Sequence, residues 1–191
     1  MAEQYRLWYC SAMTYYDDIY EYAVDNHYLV STADVRDLGI PAVELAKLAK
    51  RGKLENIGRG LYRLSRYVPS ESDPYAISVA LVGEHAYLYG ESVIAMLGLA
   101  PTNPNRIWVA SPRRVRLAHP PEGLTIVTSD EGYAPTTYNG VRSQKARDAI
   151  EACKGKMMPE RLAQAAKAAL EQGYVTPREY GGIANAEGGM K

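Results

Sequence analysis

Residues 31–66 read STADVRDLGIPAVELAKLAKRGKLENIGRGLYRLSR, and this stretch decides the fold of the first third of the chain. Ser31-Thr32-Ala33-Asp34 has the form of a capping box with Asp in place of Glu, so a short helix opens here and packs through Val35 and Leu38. Gly39 stands where a C′ glycine would end it. Pro41 suits the first position of a second helix over 41–51, which stops at Gly52. Leu45 and Leu48 share one side of that helix. Val43, Lys47 and Lys50 share the other, with Ala46 and Arg51 flanking. Residues 53–57 alternate polar and apolar, Gly58-Arg59-Gly60 permits a tight turn, and Leu61-Tyr62-Arg63-Leu64 forms a return strand.

Upstream, Thr14 can cap a helix reaching Asn26, with Asp17 and Asp18 in the first turn, where the helix dipole favours acids. Tyr16, Ile19, Tyr20 and Ala23 recur at helical spacing as its buried stripe, and 27–30 read as an extended link. The predicted order is helix, helix, turn, helix, hairpin, which is that of a winged helix-turn-helix.

Downstream, the pattern predicts helices over 75–82 and 91–97, strands over 106–110 and 124–128, and a helix from Ser143 or Gln144 towards Cys153. A strong helix over 159–172 follows, then a short one capped by Thr176-Pro177. The chain is therefore expected to be α+β. A winged helix-turn-helix domain covers 13–67 after an extension over 1–12. A linker over 68–75 leads to a mixed α/β domain over 76–180 and a glycine-rich, disordered tail over 181–191.

The 191 residues carry equal numbers of acids and bases, so the protein is not coated in positive potential. The distribution is uneven. Residues 1–46 hold eight acids and two bases, whereas 47–66 hold seven bases and one acid. Such a local basic block in a neutral protein has the character of a docking face for a polyanion. A helix-turn-helix lays its second helix in the major groove. On that footing Ala42, Val43 and Lys47 are candidates to meet bases of double-stranded DNA, and Lys50 and Arg51 to grip phosphates. Arg59 at the hairpin tip and Arg63 and Arg66 along the return strand extend the footprint. Arg113, Arg114 and Arg116 form a second candidate polyanion patch. Surface lysines on a helix are usually only solvated, and winged helices also serve as protein-protein modules. The clustering is what favours nucleic acid.

Other chemistries find little support. His27, His85 and His119 are scattered and none lies in an HExxH, so no metal site and no cofactor are expected. Gly58-Arg59-Gly60 lacks the GK[ST] of a phosphate loop, and Ser92 lacks the GxSxG frame of a nucleophile elbow. Glu84-His85 reads as a solvated loop, and Asp130-Glu131 is the one close carboxylate pair that could hold a catalytic metal. No catalytic residue is assigned, and an enzyme is not expected. Two distant cysteines, Cys10 and Cys153, with no signal-like or membrane-length apolar run, point to the reducing cytoplasm. The chain has 16 tyrosines and no phenylalanine, so many rings are expected at the core edge, where the hydroxyl can find a partner.

Leu29-Val30-Ser31-Thr32-Ala33, Leu38-Gly39-Ile40 and Gly58-Arg59-Gly60-Leu61-Tyr62-Arg63-Leu64 together resemble the N-terminal domain of AbiEi-type antitoxins. Residues 88–99 (LYGESVIAMLGL), 106–110 (RIWVA) and 143–150, with Asp148, are similar to motifs of that family's second domain. The resemblance implies a transcriptional autorepressor acting on its own operator and the antitoxin of a type IV toxin-antitoxin system. It further implies that the second domain carries the antitoxic activity. The functional counterpart would be a nucleotidyltransferase-like toxin, countered without a stable complex. The alternative is a protein-interaction or ligand-sensing regulator that uses the winged helix without antitoxin activity.

Overall fold

A computed structural model describes residues 14–102, 105–129 and 134–188, with side chains through residue 183. The chain divides into two compact units between Ser70 and Glu71. The order of the first is α1 (Tyr15–Val24), β1 (Leu29–Ser31), α2 (Thr32–Asp37), α3 (Val43–Lys50), β2 (Leu54–Gly58) and β3 (Leu61–Leu64). Its three strands pair antiparallel in the order β1-β3-β2. This is the winged-helix arrangement expected from residues 31–66.

Local chemistry marks the starts of α1 and α2 and the end of α2. At the head of α1, the Thr14 amide and hydroxyl both donate to Asp17 Oδ2 at 2.8 Å, which holds that carboxyl below the usual carboxylate range. The Ser31 box closes as read: Ser31 Oγ accepts from the Ala33 and Asp34 amides, and the Ser31 amide donates to Asp34 Oδ2 at 2.6 Å. Gly39 ends α2 in the left-handed region, at φ 73°. α3 begins two residues later than expected. Ala42 is its N-cap and Pro41 lies just outside, its carbonyl accepting from the Glu44 amide.

Ile19, Ala23, Val30, Val35, Ile40, Leu45, Leu48, Leu54, Tyr62 and Leu64 form the core of this unit. Tyr16, Tyr22 and Tyr28 pack around its rim, as the tyrosine-rich composition suggested. Burial and a hydrogen bond to Asp34 push the Tyr22 hydroxyl well above the ordinary tyrosine range, tying α1 to α2. Two expected core positions are corrected. Tyr20 and Leu38 have the helical spacing but are exposed, because none of the described elements covers them. The expected link over 27–30 is also corrected. It turns through His27 and Tyr28, both at positive φ, and Leu29 and Val30 then enter β1 against β3.

Gly60 shows why the hairpin tip needs glycine. Its φ is +68°, and a Cβ there would stand 2.8 Å from Thr32 Oγ1. Its carbonyl also accepts from the Thr32 amide at 2.8 Å, fastening the tip to the start of α2. Gly60→Ala is therefore expected to destabilise the unit by about 1–2 kcal/mol from the backbone conformation, before any contact with Thr32 is counted. A urea midpoint equal to the parent's would contradict this.

The second unit comprises α4 (Asp73–Val82), β4 (Tyr87–Leu88), α5 (Glu91–Met96), β5 (Ile107–Ser111), β6 (Leu124–Thr128), β7 (Thr136–Tyr138), β8 (Val141–Ser143), α6 (Ala146–Ala152), α7 (Pro159–Glu171) and α8 (Pro177–Gly188). Its mixed sheet runs β6-β5-β4-β8-β7. β4 pairs antiparallel with β5 and parallel with β8, while β5 and β6 are parallel. Leu88, Val93, Ile94, Leu99, Val109, Ile150 and Ile183 are among its buried apolar residues. The combination is the α+β class expected.

Three readings change here. α4 starts at Asp73, inside the stretch read as linker, with Pro74 in its first turn. Ser143 belongs to β8 and does not start a helix; α6 starts at Ala146. α8 continues to Gly188, past the point where a disordered tail was expected. Its start is fixed by Thr176, whose amide and hydroxyl donate to Glu179 Oε2. Asp130-Glu131 and Cys10 lie outside the described residues.

Cys153 is buried, and that burial, reinforced by Glu91, pushes its thiol up to about 11. The thiolate is the reactive form, so Cys153 should resist iodoacetamide in the native protein at about pH 8 and react once urea is added. Peptide mapping by mass spectrometry checks this; native labelling as fast as denatured labelling would contradict it.

Candidate nucleic-acid interface

The amphipathic division of α3 positions the candidate readers. Leu45 and Leu48 are buried against the core, which turns Ala42, Val43, Lys47, Lys50 and Arg51 outward, all exposed. Val43 is 56% exposed, and an apolar residue this open on a helix is placed for contact with a partner surface. The α2–α3 turn is held by the Ile40 amide donating to the Val35 carbonyl at 2.7 Å. Arg59 is exposed at the hairpin tip and Arg66 is exposed just after β3.

Pairing sorts the seven bases of residues 47–66 into two groups. Lys47 Nζ stands 2.7 Å from Glu44 Oε1. Arg63 Nη2 stands 2.8 Å from Glu55 Oε2, its guanidinium lies 4.0 Å from the centre of the Tyr67 ring, and its buried Nε has no hydrogen-bond partner among the described residues. Lys53 Nζ sits over the Tyr16 ring at 5.4 Å. Lys50, Arg51, Arg59 and Arg66 form no ion pair among the described residues. Lys50 and Arg51 lie at the C-terminal end of α3, Arg59 at the hairpin tip and Arg66 just after β3. Arg63 is partly buried, ion-paired through Nη2 and stacked on Tyr67, so its chemistry is that of a clamp joining β2, β3 and Tyr67.

The two acids that do this sorting, Glu44 and Glu55, were not singled out from the sequence. The Glu44–Lys47 pair was visible as an i, i+3 spacing. The Glu55–Arg63 pair required the strand register, in which the two residues sit directly opposite.

In the second unit, Arg113, Arg114 and Arg116 are all exposed on the loop between β5 and β6. The Arg113 amide donates to Ser111 Oγ at 3.4 Å. None of the three side chains forms an ion pair among the described residues. Ser92 is buried within α5, where its Oγ accepts from the Trp108 amide at 2.7 Å. That bond ties α5 to β5. Glu84 and His85 are exposed on the loop before β4. Among the described residues no helix is long and apolar enough to cross a membrane.

The first unit thus has the build of a winged helix with exposed basic residues on α3 and the hairpin. Residues 17–65 match a family model described as transcriptional regulator, AbiEi antitoxin. That is the family to which the sequence motifs pointed, and the match runs from Asp17 in α1 to Ser65 just after β3. The similarity over these residues is to a family of transcriptional regulators and antitoxins. No curated protein matches the chain.

Proposed function

We propose that this protein is a cytoplasmic DNA-binding autorepressor that reads double-stranded operator DNA upstream of its own gene. α3 enters the major groove. Ala42, Val43 and Lys47 meet base edges, and Lys50 and Arg51 hold phosphates. Arg59 and Arg66 extend the phosphate contacts from the wing. Arg63 contributes by holding the wing in shape. The observation that carries this reading is that Lys50 and Arg51 at the end of α3, Arg59 at the hairpin tip and Arg66 after β3 are exposed and form no ion pair among the described residues.

The family match supports a further step: the protein is the antitoxin of a type IV toxin-antitoxin system. Its counterpart is a nucleotidyltransferase-like toxin with which it forms no stable complex. Residues 71–183 carry the antitoxic activity, with Arg113, Arg114 and Arg116 as its candidate polyanion patch.

A reporter driven by the upstream region tests the regulatory half. Expression of the protein should lower reporter output, and Lys50→Ala/Arg51→Ala should restore it at equal protein level. Unchanged output with the parent protein would contradict autorepression. For the antitoxic half, growth arrest by the neighbouring toxin should be relieved by the parent and persist with Arg113→Ala/Arg114→Ala/Arg116→Ala. A second reading rests on Tyr15, Tyr20 and Val24, exposed apolar residues along α1 that suit a protein partner. It requires Lys47, Lys50 and Arg59 to be dispensable.

A further inference from the structure

We infer that Thr32 is a positioning residue that sets where the hairpin tip, and with it Arg59, meets the DNA backbone; this deepens the DNA-reading proposal and rests on it. Thr32 is the first residue of α2. The leading amides of a helix have no partner within the helix and need one from outside it. The Ser31 hydroxyl accepts from two of them, those of Ala33 and Asp34, at 3.2 Å each. The Thr32 amide goes elsewhere and donates to the Gly60 carbonyl at 2.8 Å. The tip of the hairpin thus completes the cap of α2.

Further contacts hold the tip from both strands. Ser31 pairs with Leu61 in the β1–β3 ladder, one residue along from the Thr32–Gly60 bond. The Thr32 side chain fills the room beside Gly60, where a Cβ would stand 2.8 Å from Oγ1 and 3.3 Å from Cγ2. On the other strand, Asn56 Oδ1 accepts from the Gly58 amide at 3.1 Å, where the β2–β3 register shifts. Arg59 lies between these two held glycines, exposed and without an ion pair among the described residues. Backbone fixed before binding adds no ordering cost when the arginine engages a phosphate. α2 and α3 share one core through Val35, Ile40 and Leu45, so the Thr32–Gly60 bond also fixes the tip relative to the reading helix.

Thr32→Pro isolates the bond. Proline lacks the amide, is favoured at the first position of a helix, and needs before it the extended backbone that Ser31 already has, at φ −103° and ψ 167°. Thr32→Val keeps both the amide and the branched shape. Binding of the full chain to its own upstream duplex across a salt series compares these with Arg59→Ala and with Thr32→Pro/Arg59→Ala. Arg59→Ala should lower the slope of log K against log salt by about 0.9, the loss of one phosphate contact. Thr32→Pro should lower it equally, the double variant no further, and Thr32→Val should bind as the parent does. A merely structural role would reduce the folded fraction in a thermal melt and leave the slope of the folded protein unchanged. A parental slope in Thr32→Pro, or losses that add in the double variant, would overturn the assignment and leave DNA reading intact. A parental slope in Arg59→Ala would overturn it by removing the wing from the footprint. A parent protein that does not bind would overturn the DNA-reading proposal and this inference together. Should Thr32→Pro fail to fold, Gly60→Ala, which forces the tip away from the Thr32 side chain, decides by the same slope.

Discussion

Leu45→Ala is expected to cost the first unit about 2–5 kcal/mol, a large share of the stability of a small domain. Leu45 is fully buried at the centre of the core that joins α1, α2, α3 and the three strands. Removing its branched end leaves a cavity that backbone pinned by the hairpin and the capping boxes can only partly close. Urea denaturation with hydrogen exchange read peptide by peptide checks this. Residues 15–64 should lose protection at lower urea than in the parent, while residues 73–183 are unaffected. Val43→Ala, on the open face of the same helix, should change stability by no more than about 0.5 kcal/mol. Equal effects of the two substitutions would mean that α3 does not pack as described. The same contrast makes Val43 a usable probe of DNA reading and Leu45 a poor one.

Replacing Lys50, Arg51, Arg59 and Arg66 together with alanine is expected to weaken binding to all duplexes alike. It should also flatten the salt dependence. Each phosphate contact releases condensed counterions, so the slope of log K against log salt should fall by about 0.9 per contact, roughly three to four for the set. Arg63→Met should leave that slope near the parent value, because Arg63 is already paired with Glu55 and stacked on Tyr67. Its effect should appear instead as lower stability of the hairpin. A slope lowered as much by Arg63→Met as by Arg51→Ala would make Arg63 a phosphate contact.

The helix-turn-helix and hairpin were legible because short-range chemistry marks their ends. Ser31 and Asp34 close a capping box, Gly39 takes a positive φ, and Arg59-Gly60 makes the turn. β1 escaped notice because its three residues are too few to alternate, and the first two are both buried. β4, β7 and β8, of two or three residues each, escaped for the same reason. Such strands exist only because a neighbour supplies their hydrogen bonds. Tyr20 and Leu38 were placed on the wrong side because helical spacing identifies a face without saying whether anything covers it. The bases of the candidate interface could be read directly from residues 47–66. Their division into paired and free groups could not, since Glu55 meets Arg63 only through the register of β2 on β3.

The most direct test of the central claim is fluorescence anisotropy of the whole protein with its own upstream duplex and with a scrambled duplex of equal length, across a salt series. The expected result is tighter binding to the upstream duplex, weakened by salt, with the difference between the duplexes reduced by Lys47→Ala. Equal, weak binding to both duplexes, unaltered by Lys47→Ala, would contradict a DNA-reading role for α3.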